Sequence, residues 1–183
     1  MLIRDTDTGY GLVTRLLHWL MAIAILGVFA LGYWMVGLSY DHPNYNNAPD
    51  LHRSTGILLG LALVFRFLWR FVNVHPHDGE LSRLERIGAK AAHWGFYIFL
   101  AAITVSGYLI ATSDGRPVDV FGLFSVPSAV VDKNLSDTAG YIHKLLAYIV
   151  MALAVLHSAA ALKHHFMDRS SILKRMWSGP PRN

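Results

Sequence analysis

The sequence predicts an all-α integral membrane protein built as a four-helix bundle. Of its 183 residues, 54% are hydrophobic and 15% are charged, whereas soluble domains carry about 25% charged residues. The mean hydropathy is +0.37. The apolar residues also fall into four runs, each close to the ~20 residues that a helix needs to cross a bilayer.

We expect the four helices at about residues 14–36, 52–72, 90–112 and 141–165. The first run, Leu16–Val36, contains no charged residue. It is too long for the apolar region of a signal peptide and lacks a convincing cleavage site, so we expect it to remain as an anchor. No internal repeat is evident, and residues 1–183 are predicted to form a single membrane domain.

The longest predicted connection lies between the third and fourth helices, over residues 112–140. It contains an apolar stretch, Val120–Pro127, that glycine and proline interrupt. This stretch is typical of a segment that lies on the membrane surface. The alternative interpretation is a cap over a site at that end of the bundle.

The basic residues predict the orientation in the membrane. If the N-terminus is cytoplasmic, 12 of the 16 Lys and Arg residues lie on the cytoplasmic (inner) side and four on the outer side. Cytoplasmic loops carry such an excess, so both termini are predicted to be cytoplasmic. The net charge of +4 does not indicate a nucleic-acid partner, because the basic residues flank apolar runs and form no basic face.

The histidines are the main functional signal. The sequence contains ten histidines and no cysteine, which excludes disulfides, iron–sulfur clusters and zinc-thiolate sites. Ionisable residues inside a membrane helix are expensive and commonly functional. Five histidines lie within the four apolar runs, His18, His52, His93, His143 and His157, and His164 and His165 lie at the inner end of the fourth helix.

Four of these histidines pair by depth. His18 and His157 lie near the inner face, whereas His52 and His143 lie near the outer face. His143 and His157 share one helix stripe, because 14 residues make about four turns and about 21 Å of rise. Two imidazoles at each of two depths suit the axial ligation of two stacked b-type haems.

Other interpretations of the histidines remain open at this point. They could be structural residues that form hydrogen bonds across helices in a non-redox membrane protein. Zinc transport is less favoured, because transport sites usually add carboxylates and these helices hold almost none. His93 is a further inner histidine, and it could replace His18 as a ligand or serve a neighbouring substrate site.

The same 14-residue spacing recurs on the other helices. Gly32 follows His18 by 14 residues, and Gly107 follows His93 by 14. A residue without a side chain lets a flat macrocycle approach the backbone, although ordinary helix packing also uses glycine. Arg66 follows His52 by 14 residues. Its guanidinium could bind a haem propionate or extend to the membrane interface.

Motifs around the paired histidines resemble the bacterial cytochrome b561 family of di-haem, four-helix membrane proteins. They are YGLVTRLLHW, ending at Trp19, LHRSTG around His52, YIHKLL around His143 and HSAAALKHH from His157. The resemblance extends over about residues 10–170. It implies a protein of the bacterial cytoplasmic membrane that exchanges electrons with the quinone pool.

The resemblance also implies roles for these residues. His18 with His157 would ligate the inner haem, and His52 with His143 the outer haem. His164 would line a quinone site near the inner haem, where it could bond a quinone carbonyl and pass on a proton. An interfacial histidine that contacts lipid headgroups is the alternative for His164.

Stand-alone family members imply an oxidoreductase that oxidises superoxide at the outer face and reduces ubiquinone. Arg53 and Lys144 each follow a proposed outer ligand, so they could attract a small anionic donor. They could equally be interface anchors or partners of propionates. Related b subunits imply a second function, the membrane-anchoring cytochrome subunit of a hydrogenase or formate dehydrogenase, with the dehydrogenase as partner.

Overall fold

A computed structural model describes residues 2–74, 76–77, 81–129 and 131–179 of the chain. The elements within these ranges are α1 (Leu12–Met35), α2 (Asn47–Phe71), α3 (Arg83–Thr112), β1 (Val118–Val120), β2 (Phe124–Val126), α4 (Lys133–Phe166) and α5 (Ile172–Ser178). Within the described ranges, α1, α2, α3 and α4 are long and apolar enough to cross a membrane. This confirms the predicted four-helix fold class.

The four long helices turn large apolar side chains outward. Leu20 and Ile23 on α1 are 63% and 67% exposed, and Val155 and Leu156 on α4 are 65% and 67% exposed. Such surfaces are unfavourable in water but match the hydrocarbon of a bilayer. The exposed faces therefore agree with the apolar composition from which the membrane was predicted.

All four long helices begin earlier than predicted, and three of them do so by five residues or more because their first turns are polar. α2 begins at Asn47, α3 at Arg83 and α4 at Lys133. Ser82 and Glu85 form a capping box at the start of α3, each side chain accepting from the other's backbone N–H. The Asp132 side chain caps α4. Caps extend a helix beyond its apolar run, so hydropathy alone placed these starts too late.

The helices are packed in sequence order. α3 packs most extensively on α4, and α2 packs on both α1 and α3. α1 and α4 approach each other through side-chain rings, including Phe29 and Tyr148, whose centroids are 5.9 Å apart. We call the end where α1 and α3 begin the His18 end, and the opposite end the His52 end.

The connection from α3 to α4 folds into a β-hairpin at the His52 end. β1 and β2 are antiparallel, with Val118 opposite Val126. Phe121 and Gly122 both have positive φ, 54° and 70°, as a type I′ turn requires. Val118 and Val120 are buried, and the Ser54 hydroxyl of α2 donates to the Asp119 carbonyl at 3.0 Å. The apolar stretch therefore packs on the bundle end.

The short helix α5 was not predicted and covers part of the His18 end. The Trp19 indole N–H donates to the Met176 carbonyl at 3.2 Å. Arg15 donates to the Trp177 carbonyl, and the rings of Trp19 and Trp177 meet edge to face at 5.3 Å. These contacts attach the C-terminal segment to the start of α1.

Candidate haem-binding site

The His52 layer contains one ring from α2 and one from α4. The centroids of His52 and His143 are 6.0 Å apart. The structure thus brings together the two histidines that the depth argument paired, although 91 positions separate them in the sequence.

Each ring of the His52 layer lies on a glycine of a neighbouring helix. A Cβ at Gly32 would stand 2.8 Å from Cε1 of His52, and a Cβ at Gly107 would stand 2.9 Å from Cε1 of His143. Real Cβ atoms do not approach other atoms this closely. The two glycines therefore seat imidazole rings, which is a more specific role than the general close approach expected from sequence.

The backbone holds one of these rings in a defined tautomer. His143 Nδ1 lies 3.0 Å from the Ile103 carbonyl and 3.2 Å from the Ser106 hydroxyl. A carbonyl only accepts, so Nδ1 carries the proton and Nε2 keeps its lone pair for a metal. The Ser106 hydroxyl itself donates to the Ile103 carbonyl at 3.0 Å.

The second ring has a parallel environment. Ile103 precedes Gly107 by four residues, and Val28 precedes Gly32 by four. The Val28 backbone lies beside the His52 ring, and His52 Nδ1 is buried without a hydrogen bond of normal geometry. Burying such a group unpaired costs free energy, so the His52 ring is less well satisfied than the His143 ring.

The His18 layer contains three imidazoles. His18 and His157 have centroids 6.2 Å apart, and His93 lies 5.5 Å from His157. The structure therefore brings together the predicted pair and adds His93 against the same ring. Phe96 meets the His157 ring edge to face at 5.5 Å.

Arg66 also belongs to the His18 layer. Its Nη2 lies 3.3 Å from His18 Nδ1. A guanidinium has no acceptor, so in this contact Nδ1 must supply the lone pair and Nε2 must carry the proton. Coordination of a metal through His18 Nε2 needs the opposite tautomer. Arg66 must therefore turn away from Nδ1 when His18 acts as a ligand.

The two layers follow one placement rule. Each long helix supplies one residue to each layer, 14 positions apart: His18 and Gly32, His52 and Arg66, His93 and Gly107, His143 and His157. The pair α1–α2 thus repeats the plan of α3–α4. This repetition is not visible as a sequence repeat, because the helices share the 14-residue spacing but not the same residues.

The two cations predicted near an outer donor differ in their surroundings. Arg53 Nη2 pairs with Asp50 at 3.3 Å, and its Nε donates to the Pro49 carbonyl. Lys144 is exposed and takes part in none of the ion pairs found among the described residues. The positive charge beside His143 is therefore less compensated than the one beside His52.

A cavity of about 370 Å³ opens beside Arg53, between the start of α2 and the hairpin. Asn47, Asp50, Asp119 and Phe121 are among its other lining residues. The carboxylates of Asp50 and Asp119 outnumber the single guanidinium of Arg53, so the cavity wall carries no net positive charge that would attract an anion. An anion would meet a more favourable field near Lys144.

His164 lies in a charged network at the His18 end. Its Nδ1 is 2.7 Å from Asp168 Oδ2, and Lys163 Nζ lies 2.8 Å from Glu85 and 2.7 Å from Asp168. The hydrogen bonds from Lys163 and then from His164 hold the pKa of the Asp168 carboxyl below its usual value. Ligand atoms of Glu85, His164 and Asp168 all lie within 4.8 Å of one another, but Lys163 already bridges the two carboxylates.

The family follows from comparison with known proteins. The family model described as prokaryotic cytochrome b561 matches residues 9–179. The chain belongs to this family. It is a membrane b-type cytochrome, as the resemblance of its histidine motifs implied.

The chain is similar to relatives that carry different names. Cytochrome b561 homolog 2 of Escherichia coli is 47% identical, covering 96% of this chain and 95% of that protein. A "probable superoxide oxidase CybB" of Yersinia pestis is 32% identical over 69% of this chain and 72% of its own. A "probable Ni/Fe-hydrogenase B-type cytochrome subunit" of Bradyrhizobium diazoefficiens is 24% identical, covering 96% of this chain and 86% of its own.

The histidine layers fit the haem that the family implies. Metal–imidazole bonds are about 2 Å long, so two axial rings have centroids about 6 Å apart. The observed separations are 6.0 Å and 6.2 Å. The glycine seats and the His143 tautomer favour ring nitrogens that are free to coordinate. In the His18 layer, a haem fits only if the Arg66 guanidinium moves away from His18 Nδ1.

Sequence reasoning missed several residues around these sites. The Ile103 carbonyl cannot be recognised from sequence, because every residue has a backbone carbonyl. Ser106 was also missed. Glu85 and Asp168 precede and follow apolar runs, and the sequence analysis assigned neither a functional role. The spacing of four between His164 and Asp168 is a detectable signal, since such pairs meet on a helix face.

Proposed function

We propose that the protein is a di-haem cytochrome that carries electrons across the membrane, from superoxide at the His52 end to ubiquinone at the His18 end. The observation that carries this proposal is the presence of two histidine pairs at two depths, with separations of 6.0 Å and 6.2 Å, in a b-type cytochrome. The similarity to a protein named as a superoxide oxidase supports the donor.

The four histidines hold the two haems, His18 with His157 and His52 with His143. When bound, haem supplies one-electron chemistry. The protein holds His143 with Nε2 unprotonated, and His18 reaches the same tautomer once Arg66 has turned away from its Nδ1. His143 is fixed by the Ile103 carbonyl, and this hydrogen bond at Nδ1 also raises the basicity of the ring at Nε2.

Arg66 is positioned to bind an anionic group near the His18 layer, and a haem propionate is the anion we propose. A guanidinium pairs strongly with a carboxylate in a low dielectric. This pairing gives Arg66 a partner once it leaves His18 Nδ1. His164 follows His157 on α4 by seven residues, or about 10 Å along the helix axis. We propose that it binds a quinone oxygen.

Lys144, with a smaller contribution from Arg53, attracts the anionic donor to the His52 end. With both termini cytoplasmic, this end faces the periplasm of a bacterial inner membrane. A reporter enzyme fused after the C-terminus tests this orientation. A fusion that reports a periplasmic C-terminus would invert the proposed direction of electron flow but leave the ligand pairs unchanged.

A second candidate function is the membrane subunit of a hydrogenase-type complex. The 24% identity to the named hydrogenase subunit, over nearly all of this chain, is the observation that favours it. In that case, electrons would come from a protein partner and not from a small molecule.

The experiment that separates the two functions is stopped-flow reduction of the haems in the purified protein. Superoxide is mixed with the oxidised protein, first alone and then with a water-soluble ubiquinone analogue. We expect fast haem reduction in the first mixture and turnover, with faster superoxide consumption, in the second. Haems that superoxide does not reduce would overturn the donor and favour the dehydrogenase partner.

A further inference from the structure

The C-terminal end of α4 places a carboxylate four residues after His164, the spacing at which side chains meet on one helix face. The Ser170 N–H donates to the His164 carbonyl at 2.9 Å, and Arg169 has φ of 55°. This left-handed position at a helix end is usually filled by glycine, and a non-glycine residue there is strained. Asp168 directly precedes this left-handed residue, and its Oδ2 lies 2.7 Å from Nδ1 of His164.

We propose that His164 and Asp168 form a proton-transfer pair at the His18 end, in which His164 exchanges protons with the quinone and Asp168 is its positioning residue. The inference rests on the proposed function, because it needs a quinone as the acceptor. It adds the partner, the tautomer and the route of the proton.

The hydrogen bond determines which nitrogen does the chemistry. An ionised Asp168 only accepts, so the proton of neutral His164 lies on Nδ1. Nε2 then carries the lone pair, and it is the atom that takes up and releases a proton. When Nε2 is protonated, Asp168 stabilises the imidazolium, as a carboxylate does behind other catalytic histidines.

Two carboxylates lie near His164, and only one of them bonds to the ring. Glu85 from α3 and Asp168 both pair with Lys163, and Asp168 Oδ2 also lies 2.7 Å from His164 Nδ1. Glu85 Oε1 lies 3.9 Å from His164 Nδ1, outside hydrogen-bond distance. Of the two carboxylates, Asp168 therefore orients the ring, and Glu85 chiefly holds Lys163.

The proton balance is complete with the reactants already named. Two superoxide ions lose one electron each and become two oxygen molecules, and one quinone gains two electrons and two protons to become the quinol. Each proton passes from the aqueous phase to Nε2 of His164 and then to a quinone oxygen. In each transfer to the quinone, one N–H bond breaks and one O–H bond forms, and His164 returns to its neutral state.

The experiment measures reoxidation of the pre-reduced haems by a water-soluble ubiquinone analogue, in the purified full-length protein between about pH 5.5 and 8.5. Asp168→Asn keeps the shape of the side chain but removes its charge. We expect a rate loss of about 10-fold or more and a shifted pH profile, and about 10²-fold loss for His164→Gln. Asp168→Glu should recover part of the rate.

Glu85→Gln is the matched control, because it removes the other carboxylate bound to Lys163 but leaves the bond between His164 and Asp168. Its rate and pH profile should stay within about twofold of the unmodified protein, an effect small beside the 10²–10⁴-fold range of acid–base catalysis. Equal losses in Asp168→Asn and Glu85→Gln, with unchanged pH profiles, would show a merely structural network and overturn the proposal. An unaffected Asp168→Asn would overturn it as well.

A second readout does not depend on electron transfer. In protein labelled with ¹⁵N-histidine, His164 is assigned by its absence from His164→Gln. We expect an Nδ1–H tautomer that loses its preference in Asp168→Asn, and the Nε2–H tautomer in the unmodified protein would contradict the pair. If the unmodified protein reduces no quinone at all, the quinone acceptor of the proposed function fails. If the unmodified protein reduces quinone and Asp168→Asn does so equally well, only the proton-transfer pair fails.

Discussion

The two histidine layers share one helical spacing but hold their rings differently. In the His52 layer, both rings lie on glycines, and a backbone carbonyl orients His143. In the His18 layer, the neighbours of the pair are the side chains of Arg66 and His93. Backbone seats are fixed by the helices, whereas side chains can rotate. The comparison shows that equal depth does not make two sites equivalent.

This difference predicts distinct sensitivities. The His52 layer should tolerate little added volume at its glycines, because a new Cβ there would stand 2.8 or 2.9 Å from a ring carbon of His52 or His143. The His18 layer should accept changes in volume more readily but respond to changes in charge, because Arg66 adjoins His18. The predictions below test this contrast, beginning with the largest effect.

The largest expected effect is the loss of a ligand. His143→Ala should remove the haem of the His52 layer and keep the other, and His157→Ala should do the reverse. The haem content per chain, measured as the pyridine haemochrome, should fall from two to one in each variant. His42→Ala is a suitable control, because His42 contacts Trp34 outside both layers.

Two results would break this assignment. One haem per chain in the unmodified protein would remove the second layer, and loss of both haems from each folded variant would remove their independence. His18→Ala and His93→Ala then identify the partner of His157. We expect haem loss only in His18→Ala, since its separation of 6.2 Å fits two axial rings better than the 5.5 Å of His93.

The next largest effect is expected at the glycine seats. Gly32→Ala and Gly107→Ala should each weaken haem binding in the His52 layer, because the new Cβ would stand 2.8 or 2.9 Å from a ligand ring. Such overpacking costs about 1–3 kcal/mol, or roughly 5- to 150-fold in haem affinity. Competition for haem with an apo-protein acceptor measures this change.

Gly27→Ala provides the matched control on α1. A Cβ at Gly27 meets no atom within 4 Å, and alanine favours the helix over glycine by about 0.8–1 kcal/mol. Haem affinity should be unchanged and thermal stability equal or higher. A loss in Gly27→Ala equal to that in Gly32→Ala would show that any added methyl group on α1 is harmful, and the glycine seat would not be specific.

The third prediction concerns charge in the His18 layer. Arg66→Gln should lower the midpoint potential of the haem in that layer, because removal of a nearby cation destabilises the reduced, less positive state. A unit charge at about 8–12 Å and an effective dielectric of about 20 contributes about 1–2 kcal/mol, or roughly 40–80 mV for one electron.

The haem of the His52 layer is the internal control for Arg66→Gln. It should shift far less, because the charge lies 14 residues along α2 from His52, about 21 Å along the axis. Redox titration followed at the two haem bands resolves both potentials. Equal shifts in both layers would indicate a general disturbance of the bundle and contradict a local role of Arg66.

The fold and the two histidine pairs were accessible from sequence for a clear physical reason. A bilayer fixes the length of the apolar runs, and the depth of a histidine in its run determines which histidines can meet. The seats of the rings were less accessible. Gly32 contacts His52 because of the way α1 and α2 are rotated against each other, which the sequence does not reveal. The Ile103 carbonyl is a backbone group, so no residue pattern indicates it.

The elements outside the membrane could be predicted least. The hairpin β1–β2 forms from strands of three residues each, too short for a clear alternation of polar and apolar residues. α5 is a seven-residue helix held by contacts to Arg15 and Trp19. Tertiary contacts stabilise both elements, so local propensity gave no reliable signal for either.

The smallest effect is expected from the two cations at the His52 end, and it separates them. Arg53 shares its charge with Asp50 at 3.3 Å, whereas Lys144 pairs with none of the acids described in the structure. Lys144→Gln should therefore slow haem reduction by superoxide about 2- to 10-fold at low salt, at the lower limit of electrostatic steering. Arg53→Gln should change the rate less, and because Lys144→Gln removes most of the attraction, its rate should also depend less on ionic strength. Stopped-flow traces at several salt concentrations measure both quantities, with an unchanged haem spectrum as the control.

If Arg53→Gln has the larger effect, the Asp50 ion pair does not screen the guanidinium and the donor approaches through the cavity beside the hairpin. If neither variant changes the rate or its salt dependence, encounter with the donor is not steered by these charges.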